Sequence, residues 1–387
     1  MHPSEEDQGQ SVVLASHSGL GFVAVHVGAG FHSAAHEAEY KEACKSACTK
    51  AIKAIKRGLS AKEAVVIAIS TLEDFPCTNA GTGSNLTRSG TVECDACIMD
   101  GDSSAFGAVG ALKGIKNPIQ VAGRLLTEEL KGPSSNGLIP PIFLAGEGAF
   151  NWALEHGFSE CQDKDLITDR SLQTWCKCKA RIQSTQNTDV CHKPCQLENL
   201  CNFSYESNSM DTVGAVCMDR NGQLCAGASS GGVVYKVPGR IGQAAIFGSG
   251  CWATSHDVNE VGVACCTSGC GEHLIKTLLA KECAILALNS RDAVSAVQEG
   301  LGSKFLGSSL LSSVTKKLGG VLLLRVEGGE GSEDCTVDLV WGHTTDSMCI
   351  GYVAEQDKKP KVRLSRLQPG QLFPLSVEGT VYRLSNS

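Results

Sequence analysis

The chain changes character abruptly near its middle. The stretch from Gly157 to Ser209 is polar, rich in Gln, Asn, Asp, Lys and Cys, and lacks a periodic apolar face. This composition predicts a long, largely disordered loop at about 157–211. Directly after it, Thr212–Asp219 is apolar and rich in β-branched residues, as in a buried strand. The fold must therefore accommodate a buried strand that begins where a long surface loop ends.

Strand and helix signals alternate on both sides of this loop. Phe22–Val27 is a predicted buried strand, and an amphipathic helix follows over Ala34–Arg57. Ser60 and Glu63 form a capping box that starts a second helix. Further strands are predicted at 90–99, 106–112, 224–229, 320–326, 336–342 and 348–353, with a two-residue hairpin turn at 221–222 and helices at 121–130, 149–156, 242–247, 271–288 and 293–301.

This order of elements predicts the fold class. Strands near both ends of the chain, with paired helices between them, favour two packed sheets covered by helices. We predict an α/β protein with a four-layer αββα sandwich, formed by a single domain over 21–387 behind a mobile tail at 1–20.

Composition excludes several classes of protein. The chain has 387 residues, with Lys+Arg 34 against Asp+Glu 41 and a net charge of −7, which argues against a nucleic-acid-binding surface. No apolar run reaches the ~20 residues of a membrane-spanning helix, and the N-terminus lacks an export signal. We expect a soluble intracellular protein that binds neither membrane nor nucleic acid.

Twenty cysteines are unusual for such a protein. Without an export signal they are expected to be reduced, and many lie in apolar runs where a thiol acts as a small hydrophobe. Cys94 and Cys97 have CxxC spacing but no second pair accompanies them. A looser group with irregular spacing consists of Cys176, Cys178, Cys191, His192, Cys195 and Cys201. Free thiols are the favoured interpretation of both groups, and we expect no required metal and no cofactor.

The boundary after the loop carries the most informative chemistry. Asp211 places an acid directly before the hydroxyl of Thr212. Cleavage between them would give Thr212 an α-amino group with a pKa near ~8, which can accept the hydroxyl proton. The sequence thus predicts a nucleophile that cleavage creates. The alternative is an ordinary β-branched residue at the start of a strand.

Glycine-rich loops after later strands supply other groups that acyl transfer needs. Ser230 precedes two glycines, Arg240 follows Pro-Gly, and Ser268 and Gly269 lie in Thr-Ser-Gly-Cys-Gly. Small hydroxyls, a guanidinium and exposed backbone N–H groups stabilise the charge that develops in such reactions. Each loop alone is equally compatible with a hydroxyl that caps a turn or, for Arg240, a surface salt bridge.

Together these segments resemble the N-terminal nucleophile hydrolases of the asparaginase type 2 family, most closely its threonine aspartase branch. The resemblance extends from Phe22 to Arg383, and the set of motifs is highly specific. The matching segments are His26–Gly30, Thr78–Gly83, Glu93–Gly101, Gly107–Leu112, Pro140–Pro141, Gly146–Gly148, Asp211–Ala215, Pro238–Arg240, Ser268–His273 and His343–Met348. The resemblance implies an inactive precursor that cuts itself into an α chain, 1–211, and a β chain, 212–387. These chains would stay folded together and pair into a dimer of αβ units.

The resemblance also implies a role for each matching residue. Thr212 would be the nucleophile, and in self-cleavage it would attack the carbonyl carbon of Asp211. Ser230 would orient the nucleophile and its new amine. Met210 before the aspartate fits the hydrophobic-Asp pattern of the branch's protein substrates, which are expected among transcription regulators. The basic residues of the loop are scattered and form no dense nuclear import signal, so we expect either the cytoplasm or the nucleus as the location.

Substrate binding follows from the same resemblance. Arg240 would grip a substrate carboxylate, and Ser268 and Gly269 would form the oxyanion hole. Asparaginases and isoaspartyl peptidases carry an aspartate three residues after the arginine, where it holds the free α-ammonium of the substrate; here that position is Gln243. This departure favours an endopeptidase that cuts protein chains after aspartate. The alternatives are an asparaginase or isoaspartyl dipeptidase acting on small molecules, and an uncleaved scaffold protein.

Overall fold

The computed structural model describes residues 20–186, 211–255, 261–328, 334–368 and 374–385, and its strands form two sheets. The eight-stranded sheet consists of β1 (Phe22–Gly30), β2 (Cys94–Asp100), β3 (Phe106–Leu112), β4 (Phe143–Ala145), β5 (Val213–Met218), β6 (Leu224–Ser230), β11 (Ser347–Ala354) and β12 (Lys361–Arg366). The five-stranded sheet consists of β7 (Cys251–Thr254), β8 (Val261–Gly269), β9 (Gly319–Glu327), β10 (Asp334–His343) and β13 (Ser376–Ser385).

The α-helices of the described residues are α1 (Glu37–Lys56), α2 (Ala61–Glu73), α3 (Pro118–Glu129), α4 (Gly146–Glu155), α5 (Asp163–Leu166), α6 (Asp169–Gln186), α7 (Gly271–Thr277), α8 (Leu279–Leu288) and α9 (Ala293–Glu299). The predicted capping box opens α2: Ser60 Oγ accepts from the Glu63 N–H, and Glu63 Oε2 accepts from the Ser60 N–H at 2.9 Å. Gly58 follows the C-terminus of α1 with a φ of +88°, which favours glycine.

Strand order places β5 near the middle of its sheet. The order is β12-β11-β1-β5-β6-β2-β3-β4, and β5 pairs antiparallel with β1 and β6. In this register Gly214 lies opposite His26, and Val213 lies opposite Ser229. The residue directly before β5 is therefore held between the end of β1 and the end of β6.

Three apolar layers confirm the predicted αββα sandwich. One lies between α1–α3 and the eight-stranded sheet and includes Ile69 and Leu125. A second lies between the two sheets and includes Met99 and Leu322. The third lies between the five-stranded sheet and α8–α9 and includes Leu279. The two sheets are thus buried on both faces over their central strands.

The prediction of disorder is wrong for 157–186, which contains α5 and α6. Tertiary contacts order this polar segment. Trp175 Nε1 donates to the carbonyl of Thr87 at 2.7 Å, and Leu166 is buried in a small cluster with Leu86. The remainder of the predicted loop, 187–210, and the tail over 1–19 lie outside the described residues.

Several smaller predictions also need correction. The turn after β5 has three residues, because the Asp219 N–H donates to the carbonyl of Gln223, and Gly222 takes the left-handed position with a φ of +77°. The helix predicted at 242–247 is one 3₁₀ turn, Gln243–Ala245. The helix predicted at 271–288 breaks at Leu278, whose φ is +46°. Strands β4, β7, β8, β12 and β13 were not predicted. Strands β4 and β7 are short and β12 and β13 are largely polar, whereas β8 was missed although its sequence is apolar.

The described cysteines are free thiols, and most are buried. The CxxC residues have different neighbours: Cys94 Sγ lies 3.3 Å from Ser84 Oγ, and Cys97 Sγ lies 3.3 Å from Cys251 Sγ. Four residues of the looser group, Cys191, His192, Cys195 and Cys201, lie outside the described ranges. Within those ranges no helix is long and apolar enough to cross a membrane, and no His/Cys/Asp/Glu cluster is suited to a metal ion.

Candidate active site

Thr212 occupies a fixed, buried position at the start of β5. Its relative exposure is 2%. The hydrogen-bonded neighbours β1 and β6 hold the backbone that follows it, and Ser230 ends β6 on the adjacent strand. Because β5 is an interior strand, the position of this threonine is set by the sheet and not by a loop alone.

A chain of hydrogen bonds orients the Thr212 hydroxyl. Gln243 Nε2 donates to Thr212 Oγ1 at 2.9 Å, and Thr212 Oγ1 donates to Ser230 Oγ at 3.0 Å. Ser230 Oγ also accepts from the Gly232 N–H at 3.0 Å. The hydroxyl is therefore held from both sides, and its proton points toward Ser230. The orienting role of Ser230 stays a prediction, and Gln243 makes a contact that the sequence analysis did not foresee.

A small pocket opens beside this hydroxyl. It is partly open to solvent, and the space within it, including the open part, is about 190 Å³. Its lining residues are Asn79, Thr212, Ser230, Gly232, Val233, Arg240, Gln243, Gly269 and Gly271. The structure thus brings together four of the predicted site residues, namely Thr212, Ser230, Arg240 and Gly269.

Ser268 and Gly269 occupy different places. Gly269 lines the pocket with a φ of +139°, and a Cβ there would lie 2.6 Å from the carbonyl oxygen of Leu318, so only glycine fits. Ser268 does not line the pocket, and its hydroxyl accepts from the Ala29 N–H at 2.9 Å. The hydroxyl of Ser268 therefore ties β8 to β1, and its predicted part in an oxyanion hole stays a prediction.

Arg240 holds a carboxylate of the chain itself. Its Nε and Nη2 donate to the two carboxylate oxygens of Glu272 at 2.9 and 2.8 Å. Burial, the largest single influence, acts to raise the pKa of Glu272, but the charge and hydrogen bonds of Arg240, with smaller hydrogen-bond contributions from the backbone and Cys270, together lower it below its usual value. The guanidinium is therefore presented for bidentate carboxylate binding, with Glu272 as its present partner. Sequence reasoning gave Glu272 no role, although it lies within the matching segment Ser268–His273.

Asn79 is a second residue to which sequence reasoning gave no role. It lines the pocket, its Nδ2 donates to the carbonyl of Gly232 at 2.8 Å, and its Oδ1 accepts from the Asn85 N–H at 2.9 Å. These bonds fix the glycine turn after β6, which in turn carries the N–H that binds Ser230. The sequence signal that could have identified Asn79 as a site residue was its position in the matching segment Thr78–Gly83.

Asp211 is buried but does not line this pocket. Its Oδ1 lies 3.9 Å from His32 Nε2. Burial raises the pKa of the Asp211 carboxyl to about 8, and the charge of Arg170 offsets part of the rise. At neutral pH this carboxyl is therefore held largely in its protonated form.

Comparison with known proteins places this site in a family. The sequence profile of the asparaginase family matches residues 20–359. The chain belongs to the asparaginase family. It is accordingly a hydrolase of the N-terminal nucleophile type.

Curated relatives in the asparaginase family match along most of their length. An isoaspartyl peptidase of Escherichia coli (strain K12) is 32% identical over 350 residues, which is 87% of this chain and 98% of that protein. An isoaspartyl peptidase/L-asparaginase of Xenopus laevis is 32% identical, covering 87% of this chain and 97% of that protein. A plant-type L-asparaginase of Thermococcus kodakarensis is 35% identical, covering 76% of this chain and 86% of that protein.

Proposed function

We propose that this asparaginase-family hydrolase is a threonine endopeptidase of the taspase type, which cuts protein chains after aspartate. The observation that carries the proposal is the combination of Arg240, a bidentate carboxylate site, with the uncharged Gln243 beside Thr212. A guanidinium can hold the side chain of a substrate aspartate. The described residues that line the pocket offer no matching anion for the free α-ammonium of an amino acid.

The charges around the pocket support this choice. Among the residues that the structure describes, none of those that line it is acidic. Asp95 is nearby but buried, and its two oxygens already accept from the N–H groups of Ala111 and Gly242 at 2.9 and 2.8 Å. Glu272 is paired with Arg240. An ammonium group entering the pocket would lose its hydration without gaining an ion pair, whereas a peptide N–H in the same place carries no charge.

We propose that the enzyme creates its nucleophile by cutting itself between Asp211 and Thr212. Thr212 Oγ1 bonds to the carbonyl carbon of Asp211 and the C–N bond breaks, while the hydroxyl proton passes to the nitrogen, which becomes the α-amino group of Thr212. Water then hydrolyses the ester, which restores the hydroxyl and leaves a carboxylate at Asp211. In later turnovers the α-amino group accepts the hydroxyl proton.

A second candidate is an asparaginase or isoaspartyl dipeptidase acting on small molecules. The comparisons favour it over the endopeptidase, because the relatives described above carry those names. A difference at one position separates the candidates, since Gln243 stands where such enzymes are expected to carry an aspartate. A third candidate, an uncleaved scaffold, requires that the bond before Thr212 stays intact.

One set of substrates distinguishes the enzymatic candidates. A peptide with the sequence of residues 205–216 contains an internal Met-Asp-Thr, and L-asparagine and a β-aspartyl dipeptide serve as small substrates. We expect hydrolysis of the peptide after aspartate and little turnover of the other two, as measured by mass spectrometry of the products. Faster turnover of the small substrates would make the second candidate correct. Intact mass of the purified protein tests the scaffold, which predicts one chain at full mass.

We propose that the natural substrates are protein chains with an apolar residue before the aspartate, as Met210 precedes Asp211, and that transcription regulators are among them. The active form would be an αβ pair that dimerises, in the nucleus or the cytoplasm. Size measurement of the cleaved protein, and identification of new N-termini in cells with and without the enzyme, test these points.

A further inference from the structure

Asp211 and Thr212 are adjacent, yet their side chains lie in different surroundings. Thr212 lines the pocket with Arg240, and Asp211 does not. The cation whose charge acts on the Asp211 carboxyl is Arg170, in the first turn of α6. A substrate aspartate held by Arg240 would therefore be recognised by a different guanidinium from the aspartate of the chain's own junction.

The surroundings of Asp211 form a compact polar cluster. His32 Nε2 lies 3.9 Å from Asp211 Oδ1. The His32 ring packs edge-on against Tyr40, with 4.7 Å between ring centroids. The guanidinium of Arg170 lies over the same tyrosine ring at 5.6 Å, and its Nη2 donates to the Tyr40 hydroxyl. Tyr40 thus joins the histidine and the arginine that face the carboxyl.

Hydrogen bonding in this cluster is incomplete. Arg170 Nη1, Asp211 Oδ1 and His32 Nε2 are buried, and none has a hydrogen-bond partner within the described residues. Ser347 Oγ donates to the carbonyl of Gly30 and lies 2.9 Å from His32 Nδ1, so this network assigns the ring proton to Nδ1. Nε2 is the ring nitrogen on the side of Asp211, 3.9 Å from its Oδ1. Buried polar groups are rarely left without a hydrogen-bond partner, so these exceptions call for a functional explanation.

We propose that Arg170 is a positioning residue for self-cleavage: together with His32 and Tyr40 it holds the Asp211 side chain in a carboxyl site separate from Arg240. This inference rests on the proposed self-cleavage between Asp211 and Thr212. Asp211 is thereby bound by a residue of α6 in its own chain, whereas the aspartate of a separate substrate is bound by Arg240. Docking of α6 then becomes a condition for maturation but not for turnover.

A charge-removing pair of variants on α6 tests the separation. Arg170→Gln removes the guanidinium, and Lys177→Gln removes an exposed charge from the same helix as a matched control. Chains made by cell-free synthesis are followed on denaturing gels as the single chain disappears. We expect Arg170→Gln to slow self-cleavage by about tenfold or more, since a buried carboxyl loses its cation, and Lys177→Gln to leave it unchanged. An unchanged rate in Arg170→Gln overturns the inference.

A second measurement separates positioning from loss of structure. His32 lies 3.9 Å from Asp211, and Tyr40, Arg170 and Cys77 interact with it electrostatically; His26 interacts in turn with His32. Because the Arg170 charge lowers the pKa of Asp211, its removal should move the inflection of self-cleavage rate against pH upward, and Arg170→Lys should restore it in part. A slower rate with an unshifted profile would indicate a merely structural role and would overturn the inference.

Turnover in trans completes the test. After incubation until cleavage is complete, Arg170→Gln should hydrolyse the junction peptide with kcat/KM within about twofold of wild type, as expected for a substitution remote from the pocket. A larger loss means that both sites share Arg170 and that the separation is wrong. Failure of the wild-type chain to cut itself at all would instead refute the proposed function, so the two failures are distinguishable.

Discussion

Asp211 and Thr212 share one peptide bond but present opposite kinds of surroundings. On the threonine side the hydroxyl has a donor, Gln243, and an acceptor, Ser230, at ordinary distances. On the aspartate side, polar atoms of Asp211 and Arg170 are buried without a hydrogen-bond partner among the residues that the structure describes. In the proposed mechanism the threonine side would act in every turnover, whereas the aspartate side would act once and then become a chain end. The difference teaches that recognition for maturation and recognition for turnover need not share residues.

Removal of the nucleophile should have the largest effect, because it acts on both sides of the bond at once. Thr212→Ala is expected to remain a single chain with no detectable peptide hydrolysis, because residue 212 then has no hydroxyl to attack the carbonyl carbon of Asp211. Thr212→Ser keeps a hydroxyl and should still cut itself, more slowly. Intact mass and peptide hydrolysis measure both outcomes, and cleavage in Thr212→Ala would identify a different nucleophile.

Arg240→Ala should affect the threonine side alone. We expect kcat/KM for the junction peptide to fall by about 100-fold, because a bidentate, charge-assisted contact with the substrate carboxylate is lost. Self-cleavage should change by less than about threefold. Arg220→Ala is the matched control, since Arg220 pairs in a similar way with Glu355 away from the pocket. Equal losses in both reactions would mean that one carboxyl site serves both.

Gln243→Asp should shift preference between the candidate substrates. The new carboxylate supplies an anion for an α-ammonium but removes the donor to Thr212 Oγ1. We expect the ratio of β-aspartyl dipeptide to junction peptide hydrolysis to rise by about tenfold. Gln243→Asn keeps the amide and serves as the uncharged control. If the ratio does not move, position 243 is not the determinant that separates the two substrate classes.

The smallest effect concerns stability and pH. Burial raises the pKa of both Asp211 and Glu73 to about 8. The folded chain therefore keeps protons that the unfolded chain has lost, and stability should fall as pH rises toward 8. Buried His26 and His32, with pKa values lowered to about 3 and 4, oppose this trend only below pH ~6.5. In the uncut Thr212→Ala background, Glu73→Gln and Asp211→Asn should each reduce the fall in Tm between pH 6.5 and 8. An unchanged slope in both would show that these acids are ionised in the folded chain.

Much of the fold followed from the sequence because its signals are local. The capping box at Ser60, the glycine after α1 and the apolar run of β5 each determine structure within a few residues. Helix α6 did not follow, since its polar sequence is ordered by distant partners, such as the carbonyl of Thr87 that binds Trp175. Contacts of this kind have no counterpart in local pattern, and composition alone favoured disorder.

The candidate site likewise contains residues that the sequence predicted and contacts that it did not. Thr212, Ser230, Arg240 and Gly269 were predicted from glycine loops and from the family resemblance, and the fold gathers them in one pocket. The ion pair of Arg240 with Glu272 depends on how α7 packs against the loop after β6, which spacing in the sequence does not reveal. Sequence reasoning also missed Arg170, because it lies in the segment predicted to be disordered.

The strand order of the large sheet has a consequence for the folding of the mature enzyme. Strands from before and after the junction alternate, so that β11 pairs with β1, β1 with β5, and β6 with β2. A cut at the junction leaves two chains interleaved through these ladders, each supplying interior strands to the other. Refolding after denaturation then requires two separate chains to meet, and recovery depends on concentration. After maturation, the lifetime of the folded enzyme would therefore depend on its unfolding rate more than on a folding equilibrium. Only the uncut precursor can assemble this sheet in a unimolecular step.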